Sequence, residues 1–326
     1  MMRSFAKRSA QILLGVACAA ASTAITAPAL AQNVRIIVGG PPGGNTDIVA
    51  RLVAARMGQA TGSNIVVENR PGAGGTVAAE AVRNARPDGT TIGLITASNA
   101  ANETLQTRKS FSLADDLETV GLYAWLANVL IVHPSLGAGS VNDLIAVLKS
   151  RAVTNYSSGG IGSPGHLAGE TFRRRTGVAM THVPYKGAPP AVLAVVSNEV
   201  SLMFATASAA LPQIEGATVR ALAVTSPERL SALSRVPTFA EAGLGGFDVR
   251  DWAGFVVPKG TPAETRDRLH RAFAAAFGDA GLRKRFEENT MIVATPALDP
   301  AAFREFLLRD IAKWSATIKD AGIEAQ

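Results

Sequence analysis

The chain has 326 residues, a formal net charge of +6 at pH 7 and a hydrophobic fraction of 47%. This composition is typical of a globular protein and excludes a long disordered or fibrous chain. Cys18 is the single cysteine and lies near the N-terminus. The rest of the chain therefore has neither a disulfide framework nor a thiol nucleophile.

The N-terminus predicts a secretory signal peptide over residues 1–31. Three basic residues precede an apolar run at 12–24, and Ala29-Leu30-Ala31 fits a cleavage site. We therefore expect a secreted protein of about 295 residues, cleaved near Ala31, whose net charge falls from +6 to +3. So mild a charge does not indicate a nucleic-acid partner. Lipidation at Cys18 is the alternative interpretation of this segment.

A turn with the sequence Pro-Pro-Gly-Gly-Asn-Thr-Asp, at residues 41–47, separates a predicted strand at 34–38 from a predicted helix at 48–57. Prolines and glycines favour a tight turn that lets the backbone approach a ligand. Thr46 and Asp47 are expected to cap the helix. Because a helix N-terminus offers free N–H groups and partial positive charge, this turn predicts an anion site. An ordinary strand-to-helix loop is the alternative.

A second glycine-rich loop, at residues 159–166, follows a predicted strand at 154–158. Ser163 and Pro164 are the residue types expected at the N-cap and first position of a new helix. Two such helix N-termini facing each other across a cleft can hold a carboxylate through charge-assisted hydrogen bonds. We expect Asp47 to turn inward and cap its own helix, which leaves the N–H groups of the first loop for the ligand.

Further predicted strands alternate with predicted helices along the chain. The strands lie at 65–68, 91–96, 129–132, 179–183, 199–204, 219–225 and 252–257, and the helices at 77–84, from 140, at 188–196, 262–277, 281–288 and 299–321. This alternation favours mostly parallel sheets with helices on both faces, which bind ligands at the carboxyl ends of the strands. The small polar loops at 97–100 and 205–208 lie at such ends.

Two apolar runs, at 129–132 and 252–257, are interpreted as crossings between two domains. The first domain would comprise residues 32–132 and 252–326, and the second residues 133–251. Two crossings make a hinge, with a cleft between the facing loops. The glycine-rich run at 70–76 is interpreted as a helix-opening turn and not as a dinucleotide site, since Val77 stands at the third glycine of that fingerprint.

Patterns for catalysis and for metal binding are weak in this sequence. No Gly-x-Ser-x-Gly motif is present, and the four histidines lack metal-ligand spacing, so neither an enzyme nor a cofactor is expected. A secreted hydrolase using Ser163 and His166 remains the alternative. Otherwise His166 is expected to orient its loop or to lie at the pocket edge. Tyr185 and Lys186 either reach the cleft or form a surface turn.

The loops at 97–99 and 205–208 carry no acidic residue. An amino acid would bring an ammonium group into the cleft, and burying an unpaired charge is costly. We therefore expect a plain mono- or dicarboxylate ligand in preference to aspartate or glutamate.

Together these motifs resemble the Bug-type extracytoplasmic solute receptors of tripartite tricarboxylate transporters. The matching segments are Pro41-Pro42-Gly43-Gly44 with Thr46-Asp47, residues 67–75, Pro87-Asp88-Gly89-Thr90, Gly162-Ser163 with His166-Leu167-Ala168, residues 182–187, residues 220–225, Val236-Pro237-Thr238 and Lys313-Trp314. They run in order along the chain from residue 41 to residue 314. The sequence departs from the pattern at Gly39-Gly40, where a Pro-Phe pair usually stands, so the pocket is expected to lack an aromatic wall.

The resemblance implies an α/β, two-domain periplasmic binding protein of the Venus flytrap, type II-like class, each domain a mixed, mostly parallel sheet flanked by helices. It also implies a monomer that delivers a small carboxylate to integral-membrane permease subunits, with no catalytic step and no nucleic acid. In such receptors the two loops grip a carboxylate, partly through ordered waters. The candidate ligand-binding residues are Pro42, Gly43, Gly44, Asn45, Thr46, Asp47, Ser98, Asn99, Ser158, Gly160, Gly162, Ser163, His166, Tyr185, Lys186 and Thr206.

Overall fold

The structure of the protein is a computed structural model that describes residues 33–106, 111–247 and 249–324. The predicted signal peptide and Cys18 lie outside the described residues. Within the described ranges, no helix is long and apolar enough to cross a membrane.

The strands and helices follow one another in close alternation. The strands are β1 (Val34–Val38), β2 (Ile65–Asn69), β3 (Thr91–Ile95), β4 (Leu117–Leu126), β5 (Asn128–Val132), β6 (Thr154–Ser158), β7 (Met180–Pro184), β8 (Leu202–Thr206), β9 (Arg220–Val224), β10 (Asp251–Pro258) and β11 (Met291–Leu298). The helices are α1 (Asn45–Thr61), α2 (Thr76–Arg83), α3 (Ala97–Leu105), α4 (Leu113–Asp116), α5 (Val141–Lys149), α6 (Pro164–Thr176), α7 (Ala188–Val196), α8 (Ala207–Glu215), α9 (Ala263–Gly278), α10 (Ala280–Glu288) and α11 (Pro300–Ala321).

Two mixed sheets organise these elements. One has the strand order β11-β4-β10-β3-β1-β2 and the other β7-β6-β8-β5-β9. Among the strands of the described residues, β1 pairs in parallel with β2 and β3, and β6 with β7 and β8. The remaining neighbours are antiparallel. The expected mixed α/β architecture is confirmed, but the sheets are less parallel than the alternation of strands and helices predicts.

Strand β5 belongs to the second sheet, where it pairs with β8 and β9. The predicted boundary at residues 132 and 133 falls after this strand, whereas the chain changes sheet at Ala127, between β4 and β5. Hydrogen bonds fix the change, because the Asn128 N–H donates to Thr225 Oγ1 at 3.0 Å and the Thr225 N–H donates to the Asn128 carbonyl at 2.9 Å. The chain returns to the first sheet at Asp251, the first residue of β10.

Strands β4 and β11 are absent from the sequence prediction. All but two of the ten residues of β4 are buried, so the strand shows no alternation of apolar and polar residues. Strand β11 follows a tight turn at Thr290, whose φ is +59°, and pairs only with β4 at the edge of the sheet. Both strands depend on tertiary pairing more than on local pattern.

The long C-terminal helix α11 packs against β4 of the first sheet and also contacts α6, which packs on the second sheet. Its buried face includes Phe303, Leu307 and Ile318. The Asp310 carboxylate accepts hydrogen bonds from the indole N–H groups of Trp252 and Trp314, each at 2.8 Å. At the far end, Arg174 of α6 forms an ion pair with Asp320 at 3.1 Å.

Candidate functional site

A cleft lies where β1, β3 and β8 end and where α1, α3, α7 and α8 begin. It contains a cavity of about 660 Å³ lined by loops from both sheets. A second cavity of about 870 Å³ shares Ser98, Gly159 and Lys186 with the first, so the two form one continuous cleft. Among the residues lining the 660 Å³ cavity there is no aromatic side chain.

The N-terminus of α1 forms one wall of the cleft. Its N-cap is Gly44, in an extended conformation with no side-chain cap, so the prediction that Thr46 and Asp47 cap this helix is wrong. The helix begins at Asn45, two residues earlier than a Thr46 cap allows. Among the described residues, none accepts a hydrogen bond from the N–H groups of Asn45, Thr46 and Asp47. This wall therefore presents unpaired donors.

The Asp47 carboxylate turns away from the cleft, although not to cap its helix. Its Oδ2 accepts hydrogen bonds from the Gly43 N–H and from Arg51 Nε, each at 2.9 Å, and its Oδ1 accepts one from Asn69 Nδ2 at 3.0 Å. Burial opposes ionisation, but these hydrogen bonds outweigh it and hold the pKa of Asp47 below its ordinary value. The carboxylate thus uses the Gly43 N–H that was expected to serve the ligand.

Close backbone contacts explain the glycine pair before the Pro-Pro turn. A Cβ on Gly39 would lie 2.5 Å from the Gly75 Cα, so the two backbones touch. A Cβ on Gly40 would collide with the Thr46 hydroxyl. Both glycines line the cleft, and the space that a larger side chain would fill is taken by Gly75 and Thr46.

The loop between β6 and α6 is built as the sequence predicts at its helix start. Ser163 is the N-cap, its Oγ accepts a hydrogen bond from the His166 N–H at 3.3 Å, and Pro164 is the first helical residue. The ring of His166 instead binds the loop, since Nδ1 accepts a hydrogen bond from the Gly162 N–H at 3.1 Å. The imidazole is therefore not paired with the Ser163 hydroxyl as a hydrolase would require.

His166, which is buried, and His182, which is half-buried, form a stacked pair behind this loop. Their ring centroids lie 3.8 Å apart and their planes differ by 13°. Burial lowers the pKa of His166 to about 4. Burial and the neighbouring His166 lower the pKa of His182 to about 3. Both rings are thus neutral at pH 7, and the pair serves as packing.

Internal hydrogen bonds occupy much of this second loop. The Gly160 N–H donates to Ser158 Oγ at 3.1 Å, and the Ser163 N–H donates to the Gly160 carbonyl at 3.2 Å. Ser158 Oγ also lies 2.6 Å from His182 Nε2. The second loop therefore has fewer donors to offer a ligand than the sequence predicts.

The opposite wall of the cleft is the N-terminus of α8. Thr206 is its N-cap and makes no side-chain capping bond. The Ser208 hydroxyl donates a hydrogen bond to Asn45 Oδ1 and so joins the starts of α8 and α1 across the cleft. Ser208 and Ala209 line the cavity and are absent from the predicted site residues.

The segment at 97–100, predicted to be a loop, is the first turn of α3. Thr96 and Asn99 form a capping box: the Ser98 N–H donates to Thr96 Oγ1 and the Thr96 N–H donates to Asn99 Oδ1. The Ala97 N–H donates to Asp251 Oδ1 at 3.0 Å. The donors at this helix start are consequently used inside the protein.

Asp251 is a buried acid in the cleft wall that the sequence analysis misses. It is the first residue of the otherwise apolar strand β10 and lies 154 residues from its hydrogen-bond partner Ala97, so no local pattern marks it. Burial raises its pKa to about 7, opposed by the hydrogen bonds from the Ala97 and Trp252 N–H groups and reinforced by the nearby Asp310.

Lys186 and Tyr185 are the cationic and the aromatic side chain that lie at the cleft. Lys186 is exposed, lines both cavities and has no ion pair within the described residues. Tyr185 lines the larger cavity, and its hydroxyl donates to Glu199 Oε1 at 2.9 Å. Among the described residues no group of three or more His, Cys, Asp or Glu side chains has the geometry of a metal site.

The cleft brings together most of the predicted residues, but not all. Those that line it are Gly43, Gly44, Asn45, Thr46, Ser98, Asn99, Gly160, Ser163, Tyr185, Lys186 and Thr206. Pro42, Asp47, Ser158, Gly162 and His166 do not line either cavity. Lining residues outside the predicted set include Gly39, Gly40, residues 72–75, residues 187–189, Ser208 and Asp251.

Sequence comparison finds relatives over nearly the whole chain. The family model described as "Tripartite tricarboxylate transporter family receptor" matches residues 49–323. The protein BugT from Bordetella pertussis is 32% identical over 297 residues, which is 90% of each chain. A protein from Agrobacterium vitis is 32% identical over 291 residues, or 89% of this chain and 84% of that one.

Solved structures with the same fold include proteins holding carboxylates. A protein from R. palustris solved with adipate is 34% identical, with a TM-score of 0.83 over 90% of this chain and 98% of that one. The periplasmic binding protein BugD is 31% identical, with a TM-score of 0.81 over 90% and 99%. MatC from Rhodopseudomonas palustris, solved with malate, is 28% identical, with a TM-score of 0.78 over 88% and 98%.

Proposed function

Because the chain belongs to the tripartite tricarboxylate transporter receptor family, whose members are periplasmic solute receptors and not enzymes, we propose how it performs that role. It binds a small organic mono- or dicarboxylate in the cleft and delivers it to the integral-membrane permease subunits of such a transporter. It acts as a monomer, without chemical change to the ligand and without a nucleic-acid partner.

The observation that carries this proposal is the pair of helix N-termini that face each other in the cleft. The starts of α1 and α8 meet at the hydrogen bond between Ser208 and Asn45. Neither helix has a side-chain cap. The Ala207 N–H of α8 donates to the Ala127 carbonyl, and the other N–H groups of the two helix starts, with the positive ends of two helix dipoles, remain for an anion. Lys186 adds an exposed positive charge at the same cleft.

The two sheets define the two lobes of this receptor in our proposal. Residues 33–126 with 251–324 form one lobe and residues 128–247 form the other. Closure about the two crossing points would bring the walls of the cleft onto the ligand. We place the mature protein in the periplasm, after cleavage of the signal peptide near Ala31.

The test is a panel of organic acids added to the purified mature protein after its bound ligand has been removed by unfolding and refolding. An acid present at about one hundred times its Kd should stabilise the protein by roughly 2.7 kcal/mol. For a chain of this length the thermal midpoint should rise by several degrees. Lack of response to every mono- and dicarboxylate would contradict the proposal.

A matched pair of lysine variants locates the site. Lys186→Gln should weaken binding of the best acid, because it removes the unpaired positive charge in the cleft wall. Lys149→Gln, on the exposed surface of α5, removes the same charge away from the cleft and should leave binding unchanged. Equal weakening by both would indicate a long-range effect of net charge.

Recovery of the ligand separates a receptor from a secreted hydrolase. After prolonged incubation the acid should be recovered unaltered, as judged by NMR of the released material. The hydrogen bond from the Gly162 N–H to His166 Nδ1 argues against Ser163 and His166 as a nucleophile and base. An altered product that disappears in Ser163→Ala would favour the hydrolase.

A further inference from the structure

Asp251 places a hydrogen-bond acceptor in the wall of the cleft, whereas the helix N-termini present hydrogen-bond donors. It is the first residue of β10, lines the 660 Å³ cavity and is only 7% exposed. Its Oδ1 accepts hydrogen bonds from the Ala97 N–H at 3.0 Å and from the Trp252 N–H at 2.8 Å. These two bonds fix the carboxyl group in one orientation.

The other oxygen of Asp251 has no such partner. Across residues 33–106, 111–247 and 249–324, no donor is hydrogen-bonded to Asp251 Oδ2 and no cation forms an ion pair with the carboxylate. This oxygen is not fully buried, and Asp251 lines the cavity, so Oδ2 is accessible from the cleft. In the wall of a cavity, that oxygen is available to a group on the occupant.

Two N–H groups at the start of α3 already have hydrogen-bond acceptors in Asp251 and Thr96. The Ala97 N–H binds Asp251, and the Ser98 N–H binds Thr96 Oγ1 at 3.3 Å. A ligand that approaches this side therefore meets an acceptor. On the side of α1 and α8 it meets unpaired donors. A ligand that contacts both sides must therefore carry a hydrogen-bond donor for Asp251 and an acceptor for the helix N-termini.

We propose that Asp251 selects carboxylates that carry a hydrogen-bond donor, a hydroxyl or an ammonium group, over the corresponding unsubstituted acids. The donor binds Asp251 Oδ2 while the carboxylate binds the helix N-termini opposite. This inference rests on the proposed function of the cleft as a carboxylate site. It reverses the expectation from sequence that a plain carboxylate is preferred to aspartate or glutamate, since that expectation depended on the absence of an acid from the loops at 97–99 and 205–208.

The test uses series of acids that differ only at the second carbon. Titration calorimetry on ligand-stripped mature protein compares propionate, lactate and alanine, then succinate, malate and aspartate, then glutarate, 2-hydroxyglutarate and glutamate. In the series that fits the cleft, a hydroxyl or ammonium member should bind about tenfold more tightly than the unsubstituted acid, or better, as expected for a hydrogen bond to a charged group. The hydroxyl and ammonium arms show which donor is used.

The matched variant is Asp251→Asn, which keeps the shape of the side chain and an oxygen for the Ala97 and Trp252 N–H groups. It replaces the accepting oxygen by an NH₂ group, which only donates. The preference for the substituted acids should disappear in this variant, whereas the unsubstituted acid should still bind. Asp267→Asn, an exposed acid on α9, makes the same charge change and should keep the preference.

The outcomes distinguish this inference from the function on which it rests. Equal affinity of the wild type for all members of a series that binds, or an undiminished preference in Asp251→Asn, would overturn the role of Asp251 and leave the carboxylate receptor standing. Failure of all nine acids and of longer carboxylates to bind would instead remove the proposed function itself.

Discussion

Ser163 and Thr46 show how residues of the same type play different parts at the starts of two helices. Ser163 is a true N-cap, whose Oγ accepts a hydrogen bond from the His166 N–H. Thr46 lies inside α1, after the Gly44 cap, and its hydroxyl packs against Gly40. The difference follows from the residue at which each helix begins. The turn that precedes each helix decides this residue.

We predict that Ser163→Ala lowers the free energy of unfolding by about 1 kcal/mol, the usual loss for a serine cap. Thr46→Ala should cost less, because no capping bond is lost. Urea denaturation of both variants in the absence of ligand measures this difference. A larger loss in Thr46→Ala than in Ser163→Ala would show that the Thr46 contact with Gly40 matters more than the cap.

Asp251 is the residue whose ionisation state should affect stability most plainly. Its pKa of about 7 in the folded state lies above its ordinary value of about 3.9. Between these values the folded protein holds a proton that the unfolded chain has released, so the contribution of Asp251 to stability falls as pH rises. Ionising the buried carboxyl is unfavourable in the absence of a ligand donor.

We therefore expect the stability of Asp251→Asn relative to the wild type to increase from pH 4 to pH 7 and then to level off. The measurement is the difference in the free energy of unfolding between the two ligand-free proteins across this range. A constant difference would mean that Asp251 is ionised in the folded protein throughout, with a partner that satisfies it.

At the scale of elements, α6 and β7 are joined by the stacked rings of His166 and His182. The adjoining Glu170 accepts a hydrogen bond from the Tyr156 hydroxyl at 2.7 Å, and Arg173 pairs with the same carboxylate at 2.8 Å. These polar groups are satisfied among themselves, and the histidines are held neutral. Two uncharged imidazoles thus contribute to the packing of α6 on its sheet, beside its buried apolar residues Leu167 and Phe172.

Protonation of these histidines should weaken the packing at acidic pH. Their folded-state pKa values of about 4 and about 3 lie below the ordinary value of about 6.5. Their contribution to stability is complete above pH 6.5 and is lost as pH falls from there toward 4. Each group adds up to about 1.4 kcal/mol per pH unit to the slope.

The variant His182→Gln tests this prediction, since glutamine does not titrate and can still hydrogen-bond to Ser158. Its free energy of unfolding should fall less steeply than that of the wild type between pH 6.5 and pH 4.5. Asp251 acts in the opposite direction in both proteins, so the comparison isolates the histidine. Parallel slopes would contradict the assigned pKa values.

At the scale of the whole molecule, the chain passes between the sheets at Ala127 and returns before Asp251. Helix α11 adds a third connection, because it packs against α6 and its Asp320 forms an ion pair with Arg174. The exposed ion pair itself contributes little to stability. The two chain crossings suit a hinge, about which one sheet can move relative to the other.

Ligand binding should therefore make the molecule more compact. We expect the radius of gyration from small-angle X-ray scattering to decrease when the best acid saturates the wild type. Lys186→Gln at the same acid concentration should show a smaller decrease, because less of it is bound. An unchanged radius at proven saturation would mean that the cleft binds its ligand without closure.

Local sequence pattern determined the elements with clear boundaries. Neighbouring residues decide the cap at Ser163, the turn at 41–44 and the buried strands β1, β3 and β6. The family motifs are likewise short segments that can be recognised in the sequence. The same pattern placed the start of α1 at residue 48 instead of Asn45, because the Asp47 carboxylate, which looks like a cap, is held by Arg51 and Asn69. The orientation of the Asp47 carboxylate therefore depends partly on Asn69, which lies on β2 and not in the local sequence.

Tertiary structure alone decided the composition of the cleft. Asp251 and Ala97 are 154 residues apart, and Ser208 and Asn45 are 163 residues apart, yet each pair is hydrogen-bonded. Strand β4, buried on both faces, has no periodicity that could reveal its place between β10 and β11. Sequence by itself identified the receptor family, and it predicted an anion-binding turn. The acid in its wall appeared only when β10 was paired beside β3, because an apolar strand carries no local sign of what its first residue will face.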